Sequence, residues 1–190
     1  YKGVYNSTAE YAFKVQNDDK IHFWIADEDV ASCHLGRISP ALTAYEGSWI
    51  HVAGTYNGND SASSDLKIYL NGVQVDDTND ESNAGSYVSM VNGSAAFEIG
   101  KYSSTYANGK VADVRVYAEE LTAAEVQVLA SKINVSTSLG AGTTNLKAYW
   151  PIAGTSIDIT DNSANSHNLT ASGSPATVYD AFSVNVQDNT

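Results

Sequence analysis

A single cysteine, Cys33, among 190 residues excludes an intrachain disulfide and any metal site built from several thiolates. Alone, it reads as a small half-buried residue rather than a reactive thiol. Basic residues are scarce too: ten Lys and Arg stand against 22 Asp and Glu, a formal charge of −12. Phosphate recognition needs clustered Lys and Arg, so a nucleic-acid surface is not expected. Acidity of this size favours solubility and cation binding. No apolar run is long enough to span a bilayer, so membrane insertion is not expected, and no charged-then-apolar leader opens the chain. The first residue is Tyr1 rather than Met, which leads us to expect a processed chain or a piece of something longer.

Several catalytic signatures are missing as well. The four histidines, at positions 22, 34, 51 and 167, stand at no metal-ligand spacing. The chain contains no nucleophile elbow and no phosphate-cradling glycine loop.

What it does contain is strand chemistry. Hydrophobic residues make up 43%, enough for one domain with a substantial core despite the abundance of Ser, Asn and Thr. Tyr11–Val15 and Ile21–Ile25, across the polar turn 16–20, read as an antiparallel hairpin. In its second strand Ile21, Phe23 and Ile25 share one face, and His22 and Trp24 the other. Residues 26–47 show no clear period and contain Gly36 and Pro40, so a long connection is expected there. Trp49–Tyr56 and Leu66–Val75 form a second strand pair across the polar loop 57–65, with Asn71-Gly72 as a tight turn. Residues 76–85 read as an acidic turn, Tyr87–Val91 and Ala96–Ile99 as short strands, and 100–108 as a loop. The strand Lys110–Tyr117 places Asp113 and Arg115 on one face, as a structural ion pair.

One helix is predicted. Thr122 is its N-cap, Glu125 completes a capping box, and Leu121 with Val126 makes a hydrophobic staple. Val126, Leu129, Ala130 and Ile133 then follow helical spacing and form an apolar stripe. Residues 134–145 are rich in Ser, Thr and Gly and read as a linker.

Four motifs in order carry a resemblance. They are Trp49-Ile50-His51-Val52-Ala53-Gly54-Thr55-Tyr56, then Tyr69-Leu70-Asn71-Gly72, then Gly109 through Asp113-Val114-Arg115-Val116-Tyr117, then Leu121-Thr122-Ala123-Ala124-Glu125. Together they resemble the laminin-G-like, concanavalin A-like lectin/glucanase family, in its bacterial and phage branch. The resemblance implies an all-β fold, a two-sheet antiparallel jelly-roll sandwich with one short peripheral helix. Leu146–Ile152, followed by Asp161-x-Ser163-x-Asn165, is similar to the family's opening strand, which here comes after the core motifs. The expected division is a jelly roll over 1–133 lacking its first strands, the linker 134–145, and a segment 146–190. That last segment is expected to hold the opening strand of a second or permuted unit, plus a tail. Its strand is expected to fold back onto its own sheet or to be exchanged with a neighbouring subunit.

Glucanases of this fold carry Glu-x-Asp-x-Glu or Glu-x-Asp-x-x-Glu on one strand, presenting two carboxylates to a sugar. Neither pattern occurs, so no catalytic residues are expected; a glycoside hydrolase or lyase of the same fold is the alternative. The resemblance implies a non-catalytic surface module of a phage virion or of a secreted or cell-surface protein. Its expected location is extracellular, at the cell surface or on a virion. A secreted chain without disulfides fits a bacterial, marine or viral origin. Such a module decorates an assembly, with neighbouring subunits as partners, or binds a glycan or other surface ligand. Exposed rings stack on sugar faces, and of the twelve Tyr residues Tyr87, Tyr102 and Tyr106 are the candidates. Trp49 and Trp150, in family core motifs, are expected to be buried, and His51 to be a packed strand residue. Calcium, which takes several loop oxygens, is the candidate metal, with Asp76, Asp77, Asp80 and Glu81 as candidate ligands; a solvated acidic turn is the alternative. Asp27, Glu28 and Asp29 form a second acidic group. Asn6, Asn59, Asn92, Asn134 and Asn168 lie in Asn-x-Ser/Thr triplets that matter only in a glycosylating host.

Overall fold

The computed structural model describes residues 1–3, 9–27, 29, 33–59, 62–76, 78–82, 87–90, 92–131, 145–152 and 159–172. They belong to two compact units, Tyr1–Asn108 with Tyr117–Asn145, and Gly109–Val116 with Leu146–Thr190.

The strands of the first unit are β1 (Tyr11–Val15), β2 (Lys20–Asp27), β3 (Cys33–Ala41), β4 (Val52–Tyr56), β5 (Leu66–Leu70), β6 (Val73–Gln74), β7 (Thr78–Ser82), β8 (Lys101–Tyr102) and β9 (Thr105–Tyr106). One antiparallel sheet has the order β1-β2-β3-β7 and a second the order β4-β5-β6, while β8 and β9 form a separate hairpin. Alternation turns Ile21, Phe23, Ile25 and Leu35 of the first sheet toward Leu66, Ile68 and Leu70 of the second, and these form the main buried core. Burying each such side chain stabilises the fold by roughly 1.5–3 kcal/mol. Gly54 of β4 lies under two rings of the facing sheet, where a Cβ would stand 3.0 Å from carbons of Phe13 and Phe23.

The expected hairpin forms with Tyr11 opposite Ile25 and Val15 opposite Ile21. The Asn71-Gly72 turn between β5 and β6 takes φ of 48° and 82°, as a two-residue hairpin requires. Elsewhere the sequence reading needs correction. The long connection expected over 26–47 contains β3, a nine-residue strand inside the first sheet. Its period was obscured because Arg37 and Ser39 stand on the same side of the strand as Leu35. Arg37 is tolerated there through an ion pair with Asp76 at 2.5 Å and a hydrogen bond to Asn79. Ser39, fully buried, accepts the Ile21 N–H at 2.9 Å where a bulge shifts the β2–β3 register. The acidic turn expected over 76–85 contains β7, an edge strand whose polar residues suit that position. The loop expected over 100–108 is the β8–β9 hairpin. Residues 87–90 form no strand, and Phe97 makes only an isolated bridge to Lys2. Trp49 is 44% exposed rather than buried, because Ile50 takes the place against the core.

The described residues contain one α-helix, α1 (Ala123–Ser131). The capping box is formed: the Thr122 N–H donates to Glu125 Oε2 at 2.8 Å, and the Glu125 N–H to Thr122 Oγ1 at 3.3 Å. Leu121, Val126 and Leu129 bury against Tyr69 on the outer side of the second sheet. Ile133 lies outside the described residues.

In the second unit, β10 (Val114–Tyr117, ending where the first unit resumes) pairs with β11 (Leu146–Trp150). The strand reading over 110–117 is shortened at its start, where Asp113 takes a φ of 57°. Arg115 pairs with Asp113 at 2.7 Å and lies over the Tyr149 ring. The Asp161-x-Ser163-x-Asn165 turn is stitched to β11. Asp161 accepts the N–H groups of Tyr149, Ser163 and His167 at 2.8–2.9 Å, and Asn165 donates to the carbonyls of Leu146 and Lys147. Trp150 is buried as expected, its indole donating to the His167 carbonyl at 2.8 Å.

Thr122→Ala should lower stability by about 1 kcal/mol, read as a shift of the urea midpoint. Burial pushes the Asp161 carboxyl up, but its three backbone donors and the Ser163 hydroxyl outweigh this and hold it at about 2. A depressed carboxyl stabilises above its unfolded value near 4, and this is lost as pH falls through about 2. The contribution is on the order of 2 kcal/mol. Asp161→Asn should therefore lower the midpoint followed through the Trp150 indole at pH 6, and leave little difference from the parent near pH 2.

Candidate ligand-binding face

The side of the first sheet turned away from the core carries the main cluster of polar and titratable groups. By register, Lys14, His22 and Ile38 lie in one row, Ala12, Trp24, Gly36 and Asp80 in the next, and Ala26 and His34 in a third. The Asp80 carboxylate joins two imidazoles. Its Oδ2 is 3.1 Å from His22 Nδ1 and its Oδ1 3.4 Å from His34 Nε2. The His34 bond, with that of His22 and against the upward push of burial, holds the Asp80 carboxyl at about 2. Burial lowers the Lys14 ammonium below its usual range, with the Asp80 charge opposing this.

The face is partly roofed. Trp24 is buried beneath Tyr1 and Ala9, and its indole lies beside the His34 ring, centroids 5.9 Å apart. The β8–β9 hairpin docks through Tyr102, whose ring meets Tyr1 edge-on at 4.7 Å and carries the Lys14 ammonium 3.9 Å from its centroid. What stays half-open is a hydrogen-bonding strip: the side chains of His34 and Asp80 are 28% and 27% exposed. Gly36 is required beneath it, since a Cβ there would stand 2.8 Å from Trp24 Cβ and 2.9 Å from two backbone oxygens.

The predicted site residues are dispersed. Tyr102 and Tyr106 share the hairpin but project from opposite sides, because Tyr106 is registered with Lys101 and Tyr102 with Thr105. Tyr102 uses its ring within the fold; Tyr106 is 57% exposed. Tyr87 packs against the main core. Of the carboxylates chosen for calcium, Asp76 and Asp80 are engaged by different partners. Asp76 accepts from Arg37 and from the Ile68 N–H, Asp80 is held by the two imidazoles, and Glu81 stands opposite Leu35 in the register. Asp77 lies outside the described residues. Asp27, from the second acidic group, accepts the N–H groups of Asp29 and Val88. Among the described residues no three His, Cys, Asp or Glu side chains are grouped to hold a metal ion. His51 lies just before β4, its backbone bonded to Asn71 on both sides. Sequence reasoning placed His22 opposite the core face but missed His34 as its neighbour, because β3 was not recognised.

An open cleft of about 310 Å³ lies elsewhere, beside the start of α1. Its charged groups, Lys67 and Glu120, neutralise one another at 2.5 Å.

The family model described as the concanavalin A-like lectin/glucanases superfamily matches residues 2–127. The chain belongs to this superfamily. The two packed antiparallel sheets of the first unit, with the single short helix of the described residues, are consistent with a concanavalin A-like sandwich. No curated protein and no solved structure matches the chain. No helix among the described residues is long and apolar enough to cross a membrane.

Gly36→Ala should destabilise the protein by about 1–3 kcal/mol through overpacking against backbone, read as a lowered melting temperature.

Proposed function

We propose that this superfamily member is a non-catalytic surface module of a secreted, cell-surface or phage-borne protein, and that it binds a glycan. The observation that carries the reading is the half-open strip of His34 and Asp80 on the outer face of the first sheet, beside the docked β8–β9 hairpin. An ionised carboxylate flanked by imidazoles offers acceptors and donors to sugar hydroxyls, and the β8–β9 hairpin carries the exposed Tyr106 ring, which is able to stack on a sugar face. Superfamily membership supports a carbohydrate or structural role and leaves the particular glycan to the site itself.

The test is a glycan array probed with the parent chain, Tyr106→Ala and Asp80→Asn, each in calcium and in chelator, with reducing-sugar release measured in parallel. Retained glycan without release is expected, together with at least a tenfold loss of signal in both variants at an unchanged fold. No signal from the parent in either buffer would transfer the weight to an assembly role. Release of reducing sugar would make the module a hydrolase.

A further inference from the structure

The His22 ring lies between two carboxylates. Its Nδ1 is 3.1 Å from Asp80 Oδ2 and its Nε2 is 3.1 Å from Asp18 Oδ2. Ionised carboxylates only accept hydrogen bonds, and a neutral imidazole has one N–H. A neutral ring therefore donates to one of them and turns a bare lone pair toward the other. The imidazolium, with two N–H groups, satisfies both. Asp18 belongs to the β1–β2 turn and Asp80 to the edge strand β7, so the ring ties both to the middle of the first sheet.

We propose that His22 is a proton-operated clasp, which fastens the β1–β2 turn through Asp18 and the edge strand through Asp80, and which releases the turn when the ring loses one proton. As a regulator of ligand binding the clasp rests on the glycan reading; as a conformational device it does not. Other charged or titratable groups around the ring are His34 of β3, which shares Asp80, Lys14 of β1, which is the register partner of His22, and Lys20 on the same side of β2. The turn is the side that opens, because the Asp18 side chain is 45% exposed and its contact competes with water, whereas Asp80 is 27% exposed and held by a second ring. The His22 hydrogen bond holds the Asp18 carboxyl below its usual value. The clasp is complete while both carboxylates are ionised and the ring carries both protons. It is lost when the ring gives up one of them.

The experiment records the ¹⁵N shifts of the His22 ring together with amide exchange of residues 16–20 and 78–82 across neutral and mildly acidic pH. Rates are corrected for intrinsic base catalysis. Two ring N–H groups are expected at the acid end, with turn protection falling at least threefold as the ring deprotonates. Asp18→Asn should flatten that dependence without altering the fold, since an amide can face the neutral ring in either orientation. A ring with one bare nitrogen while the turn stays protected overturns the clasp, as does corrected turn exchange in the parent that ignores pH. Glycan signal that varies with pH in the parent but not in Asp18→Asn links the clasp to the ligand. A chain that binds no glycan yet shows the paired ring and turn response keeps the clasp and loses only the functional reading.

Discussion

β2 is buried along nearly its whole length and on both faces, and the rest of the first unit answers to that constraint. A strand enclosed on two sides needs an apolar layer against one face and a satisfied layer against the other. Ile21, Phe23 and Ile25 supply the first, and the second sheet closes over them. Gly54 is the position that lets the two layers approach, since it leaves room for the rings of Phe13 and Phe23. His22 and Trp24 define the second face. Trp24 is met by Tyr1, Ala9 and Ala12, and His22 by Asp18 and Asp80.

The readable parts of the chain were those in which local chemistry and tertiary context agree. The Ile-His-Phe-Trp-Ile alternation, the Asn71-Gly72 turn and the Thr122–Glu125 box each specify their own conformation within a few residues. β3 and β7 do not. β3 carries Arg37 and Ser39 in line with Leu35, and what makes them tolerable lies far along the chain in Asp76 and Asn79, or across the bulge at Ile21. β7 is Thr-Asn-Asp-Glu-Ser, a composition that resembles a turn unless its role as an edge is known. The site depended on both. Asp80 and His34 become partners of His22 only once β3 and β7 stand side by side, so a reading that treated both as connections left the histidines scattered. Trp49 shows the converse: its motif suggested burial, but its neighbour Ile50 occupies the core position.

In the second unit the family-like segment serves as its own scaffold. Asp161 gathers three backbone donors from residues on either side of the turn, and Ser163 and Asn165 return hydrogen bonds to the carbonyls at the start of β11. A strand of five residues gains its order from polar stitching of this kind together with the burial of Ala148 and Trp150, and the Asp161 carboxylate is the centre of that stitching.

The outer face of the first sheet poses the opposite case. Trp24, Ala12 and the roof of Tyr1 already bury an apolar patch, and stability alone would be served by further apolar residues around it. Replacing a partly buried ionic cluster by well-packed hydrophobic side chains is commonly neutral or favourable. Here two imidazoles, two carboxylates and a lysine crowd one stretch of sheet, with His34 and Asp80 still reachable by solvent. Such clusters with displaced carboxyl groups concentrate where a protein binds or responds. The same geometry that leaves Asp80 open to a hydroxyl-bearing ligand also places His22 between two acceptors that one proton cannot serve. The proposed ligand recognition and the proposed proton sensitivity thus draw on one carboxylate, and under both proposals a change at either His22 or Asp80 is felt by both.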